Sequence, residues 1–196
     1  MDGRLARGAE TRRLTLRRAA EIASVEGLDG LTIGRLAGEL ELSKSGIFAH
    51  FGSKEELQLA TLAYAEEVFV ERVIRPARAA EPGLPRLRAL VDSWITYSRT
   101  RIFPGGCFFA AASAEFDARE GRVHDAVVGA FRGWMALLVG MVEEAVERGQ
   151  LPAGTDAAQL AFEIDALARA SNAVSVLTGD DEAYRRADAG IRAKLG

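Results

Sequence analysis

The sequence predicts an all-α fold, and three observations carry that expectation. Apolar residues recur at three- and four-residue spacing in nearly every segment, no segment alternates as a strand, and Gly and Pro cluster between the periodic segments. No internal repeat or low-complexity tract interrupts the pattern.

The elements follow in order. A first helix is expected over Glu10 to Glu26, with Leu16, Ala20 and Ala23 on one stripe and Gly27 as its stop. From Leu31 to Leu57 the chain reads as two short helices across a tight turn, with a third opening immediately after. Thr32, Ser43 and Ser53 precede these three helices, each a hydroxyl residue suited to an N-cap, and Ser53 with Glu56 has the spacing of a capping box. A long fourth helix runs from Lys54 to near Ala79, and the run from Glu81 to Pro85 punctuates it. Leu87, Val91 and Trp94 share a face of a fifth helix that ends near Arg101, and the stretch from Phe103 to Gly106 breaks the chain. A short apolar helix follows from Cys107 to near Ala118. The seventh, near Val123 to Arg148, repeats Val127, Phe131, Trp134, Leu138 and Val142. After a turn from Leu151 to Gly154, Thr155 or Asp156 caps an eighth helix with the stripe Leu160, Ile164, Leu167, Ser171 and Val174. Gly179 and Asp180 lead into a last helix ending near Lys194.

The most informative stretch is the pair of short helices. The second, near Lys44 to His50, buries Ile47 and Phe51 one turn apart and shows Lys44, Ser45, Ala49 and His50 on its other face. A short helix that is polar and basic on one side, braced by another across a turn, can enter a major groove. The expectation is a helix-turn-helix and a reader of double-stranded DNA.

Ten residues carry a resemblance. Ser43, Lys44, Ile47, Phe48, His50, Phe51, Ser53, Lys54, Glu55 and Leu57 follow the order S-K-x-x-[LI]-[YF]-x-[HY]-F-x-[ST]-K-E-x-L. The stretch from about Thr11 to Leu62 resembles the DNA-binding domain of TetR-family transcriptional regulators, and the match weakens beyond it. The resemblance implies an N-terminal three-helix DNA-binding domain over residues 1–53, with a helical effector-binding and dimerisation domain over residues 54–196. It further implies a homodimeric repressor, released from a pseudo-palindromic operator by a small ligand.

Thr32 and Ser43 stand at helix starts, where free N–H groups and a hydroxyl can grip phosphate as well as cap. Lys44 and Ser45 lie in the first turn of the recognition helix, and the resemblance implies that Lys44 touches phosphate or a base edge. His50 reads as a phosphate contact, since no second His, Cys or carboxylate has metal-ligand spacing to it. Lys54 resembles the family's phosphate-clamping lysine. Phe48 occupies a position where many relatives carry tyrosine, which leaves it to stack on sugar or a thymine methyl, or to join the core. Two features depart from the family pattern. Glu41 stands in the turn where glycine is usual, and Gly34 and Gly38 lie inside the first helix of the motif.

Composition narrows the rest. Net charge is −3, yet residues 1–54 hold nine Lys/Arg against seven Asp/Glu, while the remainder holds 16 against 21. A basic head on an acidic body suits a protein that meets phosphate at one end; for Arg4 and Arg7 an ordinary solvated arm is the alternative. Cys107 is the one cysteine, which excludes an internal disulfide and fits a reducing compartment. No apolar run approaches a membrane span and the basic start lacks an apolar core, so a cytoplasmic protein without membrane partners is expected. No metal site and no cofactor is expected.

In the second part, an effector pocket for a small apolar ligand is expected among Trp94, Tyr97, Phe103, Cys107, Phe108, Phe109, Trp134, Met135 and Phe162, with plain core packing as the alternative. Asp165, Arg169 and Asn172 share a face, as polar anchors or as a surface ion pair. The resemblance assigns dimerisation to the last long helices, and here Leu160, Ile164, Leu167, Ser171 and Val174 with abundant alanines would form the interface, unless the stripe is buried in its own chain. Cys107, after two glycines at a helix start, offers a thiol that oxidants or electrophiles could modify, or a small buried hydrophobe. An enzyme is not expected: His124 and Asp125 beside Glu115, Asp117 and Glu120 read as a solvated helix junction. A helical scaffold that no longer uses its helix-turn-helix is the reading from another class.

Overall fold

A computed structural model describes the backbone from residue 3 and the side chains from residue 8 onward; Arg4 and Arg7 therefore lie outside the described side chains. Among the described residues the regular structure is helical, without strands. The order is α1 (Gly3–Glu26), α2 (Ile33–Leu40), α3 (Lys44–Phe51), α4 (Lys54–Phe69), a π-helical turn (Val70–Ile74), α5 (Arg75–Arg78), α6 (Leu84–Arg99), α7 (Phe108–Phe116), α8 (Arg122–Glu147), α9 (Ala157–Thr178) and α10 (Glu182–Leu195).

The long fourth helix of the sequence reading is thus helical from 54 to 78 with a π-turn inside it. Pro76 supplies the cause: its ring has no N–H and crowds the carbonyl four residues back. The wider turn just before it absorbs that demand, with the Arg75 N–H donating to the Val70 carbonyl.

Contacts divide the chain into two compact units, one of residues 1–67 with 103–128, the other of residues 68–102 with 129–196. The expected functional boundary after residue 53 therefore differs from the division of packing. Leu57, Leu62 and Ala65 of α4 and Phe103, Phe108, Ala112 and Phe116 around α7 are buried within the first unit. Their companions there are Leu16, Ala20, Ile22 and Ala23 of α1, Leu36 and Ala37 of α2, and Ile47 and Phe51 of α3.

Polar ties bind the first unit across long sequence distances. The Glu115 carboxylate accepts the backbone N–H groups of Leu28 and Asp29, each at 2.7 Å. The Gln58 amide donates to the Leu28 carbonyl at 2.7 Å, and the Gly105 N–H donates to Ser24 Oγ at 3.1 Å. Arg122 bridges Glu55 (2.9 Å) and Glu56 (2.6 Å). That last pair corrects the capping-box expectation. Ser53 Oγ does accept the Glu56 N–H at 3.1 Å, but the Glu56 carboxylate is drawn to Arg122, and the Ser53 N–H goes to the Phe51 carbonyl.

In the second unit α10 packs along α9, and both meet α6. Leu87, Leu90 and Val91 of α6 are buried, as are Leu160, Ile164 and Ala168 of α9 and Tyr184, Ala187, Ile191 and Leu195 of α10. A polar chain runs through this packing. Ser98 Oγ donates to Asn172 Oδ1 at 2.7 Å, so its lone pair receives the Tyr184 hydroxyl, also at 2.7 Å. Arg101 donates to the Tyr184 oxygen (3.2 Å) and to Ser175 Oγ (2.8 Å), and Ser175 donates to Asp181 (2.8 Å). Buried polar groups cost free energy unless paired, and here each link satisfies the next.

Among the described residues α8 is long and apolar enough, by length and composition, to resemble a membrane span, a test that a packed core helix also passes. Val127, Leu138, Val142 and Ala145 are buried, while Phe131, Gly133, Ala136 and Gly140 lie outward. The helix is apolar on both sides, which explains the high apolar content.

Candidate nucleic-acid interface

Three side-chain caps build the motif. Thr32 Oγ1 accepts the Arg35 N–H (3.0 Å) to open α2, Ser43 Oγ accepts the Gly46 N–H (3.1 Å) to open α3, and Ser53 opens α4 as described. Each satisfies a backbone donor that the first helical turn would otherwise leave to water. Glu41 ends α2 in the left-handed region, with φ 53° and ψ 33°, and the Leu42 N–H closes the turn on the Ala37 carbonyl at 3.0 Å. A non-glycine residue there costs on the order of 1 kcal/mol. The turn adopts the backbone the motif requires in spite of its side chain.

On α3 only Ile47 and Phe51 are buried; Lys44, Ser45, Phe48, Ala49 and His50 are exposed. Phe48 is 55% exposed, so it is not a core residue. Arg12 of α1 lies over the Phe51 ring, 5.3 Å from its centroid, and braces the buried side. Ile33, Gly34, Lys44, Ser45, Phe48 and Ala49 together line a shallow groove between the start of α2 and α3. A Cβ at Gly34 would make only an ordinary contact with the Lys44 Cε, at 3.4 Å, so the packing does not require glycine there.

The charge pattern is more internally paired than the sequence suggests. Arg35 bridges Glu26 and Glu39, each at 2.8 Å, and Arg18 bridges Glu21 and Glu39, each at 3.0 Å. The Arg35 guanidinium, through its hydrogen bonds, holds the carboxyls of Glu26 and Glu39 below their ordinary range, while those carboxylates raise the Arg35 pKa. Lys54 pairs with Asp29 at 2.8 Å, and Arg119 reaches the other Asp29 oxygen at 3.3 Å. Lys54 first and Arg119 second lower the Asp29 pKa. Lys44 makes no ion pair among the described residues and stands at the groove.

The family description "Tetracyclin repressor-like, C-terminal domain" matches residues 83–191, more than half of the chain, and "Bacterial regulatory proteins, tetR family" matches residues 16–61. The chain belongs to the TetR family. The N-terminal match spans the helix-turn-helix and agrees with the stretch on which the resemblance rested.

Solved structures share the TetR fold along nearly the whole chain. A TetR transcriptional regulator from Chloroflexus aurantiacus J-10-FL is 25% identical with a TM-score of 0.87, over 95% of this chain and 94% of that one. SCO4454, a TetR-family regulator from Streptomyces coelicolor, is 23% identical with a TM-score of 0.81, over 95% of both chains. AibR, solved with isovaleryl coenzyme A and operator DNA, is 20% identical with a TM-score of 0.74, over 93% of this chain and 97% of that one. No curated protein matches the sequence.

In this TetR-family chain the expected effector residues fall in both units. In the first, Phe103, Cys107 and Phe108 are buried, with the Phe108 ring 5.6 Å from both Phe103 and the half-buried Phe109. Cys107 opens α7, its carbonyl accepting the Ala110 and Ala111 N–H groups, and is only 4% exposed, which fits the reading of a small buried hydrophobe. In the second unit, Trp94 and Tyr97 are buried and Trp134 and Met135 half-buried. Tyr97 and Trp134 both stand nearly perpendicular to the Phe69 ring, with centroids 5.5 and 5.4 Å from it. Sequence reasoning missed Phe69, which sits at the α4 end without any marker of its own. Phe162 is corrected outright: at 62% exposure it lies on the outer face of α9.

The interface stripe is corrected too. Leu160, Ile164 and Ser171 are buried inside their own chain and Leu167 is half-buried beside Gly190 of α10, because α10 takes the apolar side of α9. Val174 alone of the five is exposed, at 45%. The outward face carries Phe162, Ala166, Ala170, Ala173 and Leu177 instead. Asp165 and Arg169 form the expected one-turn ion pair at 2.8 Å. The carboxylate is buried, however, and its other oxygen accepts the Trp134 indole N–H at 2.8 Å.

Proposed function

We propose that this protein is a homodimeric transcriptional repressor that binds a pseudo-palindromic operator through α3 and is released by a small apolar ligand. The observation that carries the reading is α3 itself. Its exposed side presents Lys44, Ser45, Phe48 and His50 on a helix held by caps and by two buried residues. Thr32 and Ser43, each at a helix start, would add phosphate contacts. Lys44 would meet phosphate or a base edge and Phe48 a sugar or thymine methyl. Lys54 would complete the set after leaving Asp29.

The dimer is assigned to the outward faces of α8 and α9. Gly133, Ala136 and Gly140 on α8, with Ala166, Ala170 and Ala173 on α9, permit close approach of a second copy, while Phe131, Phe162, Val174 and Leu177 supply apolar area. Leu177 is 85% exposed in the single chain, an unusual position for so large an aliphatic side chain without a partner. A symmetric pair would set two recognition helices about 34–36 Å apart, one turn of DNA. Effector binding would favour a spacing that no longer fits successive grooves. The Trp94, Tyr97 and Trp134 region of the second unit is the candidate for an apolar ligand, and the neighbour solved with both an acyl thioester and operator DNA makes such a pairing a reasonable one to screen.

Selection of bound duplexes from a random pool tests the reading. Recovery of an inverted repeat with half-sites about one helical turn apart supports it. A folded dimer that enriches no sequence sinks it in favour of the helical scaffold.

A further inference from the structure

The Asp29 carboxylate has two cations and a fixed backbone. Its N–H is held by Glu115 Oε1 and that of Leu28 by Glu115 Oε2, both at 2.7 Å, and Gln58 fixes the Leu28 carbonyl from α4. The loop between α1 and α2 is therefore clamped from two helices, so the Asp29 backbone stays in place when the Lys54 side chain moves. Lys54 Nζ sits 2.8 Å from Asp29 Oδ1. Arg119, in the turn after α7, sits 3.3 Å from Oδ2, is anchored over the Phe116 ring at 4.9 Å, and reaches Glu115 at 3.9 Å.

We propose that Asp29 is a positioning residue that holds Lys54 back from nucleic acid, and that Arg119 sets the strength of the hold. The inference rests on the reading of this face as a DNA interface and adds to it a control within the unit. To reach a phosphate, Lys54 must exchange one anion for another. A carboxylate shared between two cations attracts each less than a carboxylate with one. Arg119 in place loosens Lys54 and favours binding; Arg119 withdrawn tightens it and disfavours binding. Because Arg119 rides directly behind α7, any displacement of that helix changes the grip on Lys54 without touching α3.

The test is a double-mutant cycle on the full chain, read as anisotropy of the selected duplex at one salt concentration, with circular dichroism as the check of folding. Exposed ion pairs are weak, so Asp29→Asn should tighten binding about two- to fivefold when Lys54 is present and leave it within about 1.5-fold in the Lys54→Met background. Arg119→Ala should weaken binding about two- to threefold, and that loss should shrink once Asp29→Asn is added. Asp29→Ser removes the same charge and serves if the amide disturbs the loop. Equal gains from Asp29→Asn in both backgrounds would reduce the effect to net charge and overturn the proposal. Weaker binding by a folded Asp29→Asn protein would also overturn it, since Asp29 would then present Lys54 to the phosphate. A wild-type chain that binds no duplex overturns the DNA reading itself, and is seen before any substitution is made.

Discussion

Each unit is held internally by a different balance of polar contacts. In the first, most long-range ties are exposed ion pairs and single carboxylates on backbone N–H groups, with the buried Gln58 amide on the Leu28 carbonyl beside them: Arg122 on Glu55 and Glu56, Asp29 between Lys54 and Arg119, Glu115 on the loop before α2. In the second, a buried chain from Asn172 through Ser98 and Tyr184 to Arg101 fixes α6, α9 and α10. Exposed pairs are weak, screened by salt and cheap to exchange, whereas a satisfied buried network specifies one arrangement of its helices. A surface that must trade its own anions for phosphates is served by the first kind. A framework that must keep a register is served by the second.

The largest expected effect sharpens this contrast at a tight backbone approach inside the first unit. A Cβ at Gly105 would stand 1.8 Å from the Ser24 carbonyl oxygen, closer than any side chain can approach a backbone. Gly105→Ala should cost about 3 kcal/mol or more in urea unfolding, or leave the protein unfolded. A loss below about 0.5 kcal/mol would show that this contact is loose and that the first unit has no rigid seam there.

Next comes the buried chain. Tyr184→Phe keeps the ring and removes only the hydroxyl that donates to Ser98 and accepts from Arg101. About 1–2 kcal/mol of stability should be lost, with DNA affinity unchanged. A neutral result would remove the distinction between the units, because the network would then contribute no more than a surface pair.

The smallest effect belongs to the motif. Ser43→Ala removes the acceptor for the Gly46 N–H and should cost about 1 kcal/mol by thermal or urea melts. It should also weaken duplex binding, since α3 would lose its first-turn anchor and its proposed phosphate contact. Lower stability with full affinity would confine Ser43 to capping.

What the sequence disclosed differs between the units for the same reason. The caps Thr32, Ser43 and Ser53, the turn at Glu41 and the buried pair Ile47 and Phe51 were legible because each depends on neighbours within a few residues. Phe48, left between the core and the outer face by its sequence, is placed outward by the structure. The contacts of Glu115 with Leu28 and Asp29, or of Ser98 with Tyr184, join residues more than 80 positions apart, and no spacing rule reaches that far. The α9 stripe was misread for a physical cause: Leu160, Ile164 and Ser171 do form an apolar face, but periodicity cannot say which neighbour covers it. Here α10 covers it, and the face of Phe162, Ala166, Ala170, Ala173 and Leu177 is the one left exposed.

The measurement that bears most directly on the central claim is affinity for the selected duplex across salt concentrations, for the wild type and for Lys44→Ala. A reader of the major groove that neutralises phosphates loses affinity steeply with salt, with a slope of about −0.9 per phosphate in log–log form. The account predicts a steep slope for the wild type, and weaker binding with a slope shallower by about one phosphate per copy for Lys44→Ala. Binding that ignores both salt and Lys44 would contradict it, because α3 would then not be the surface that meets DNA.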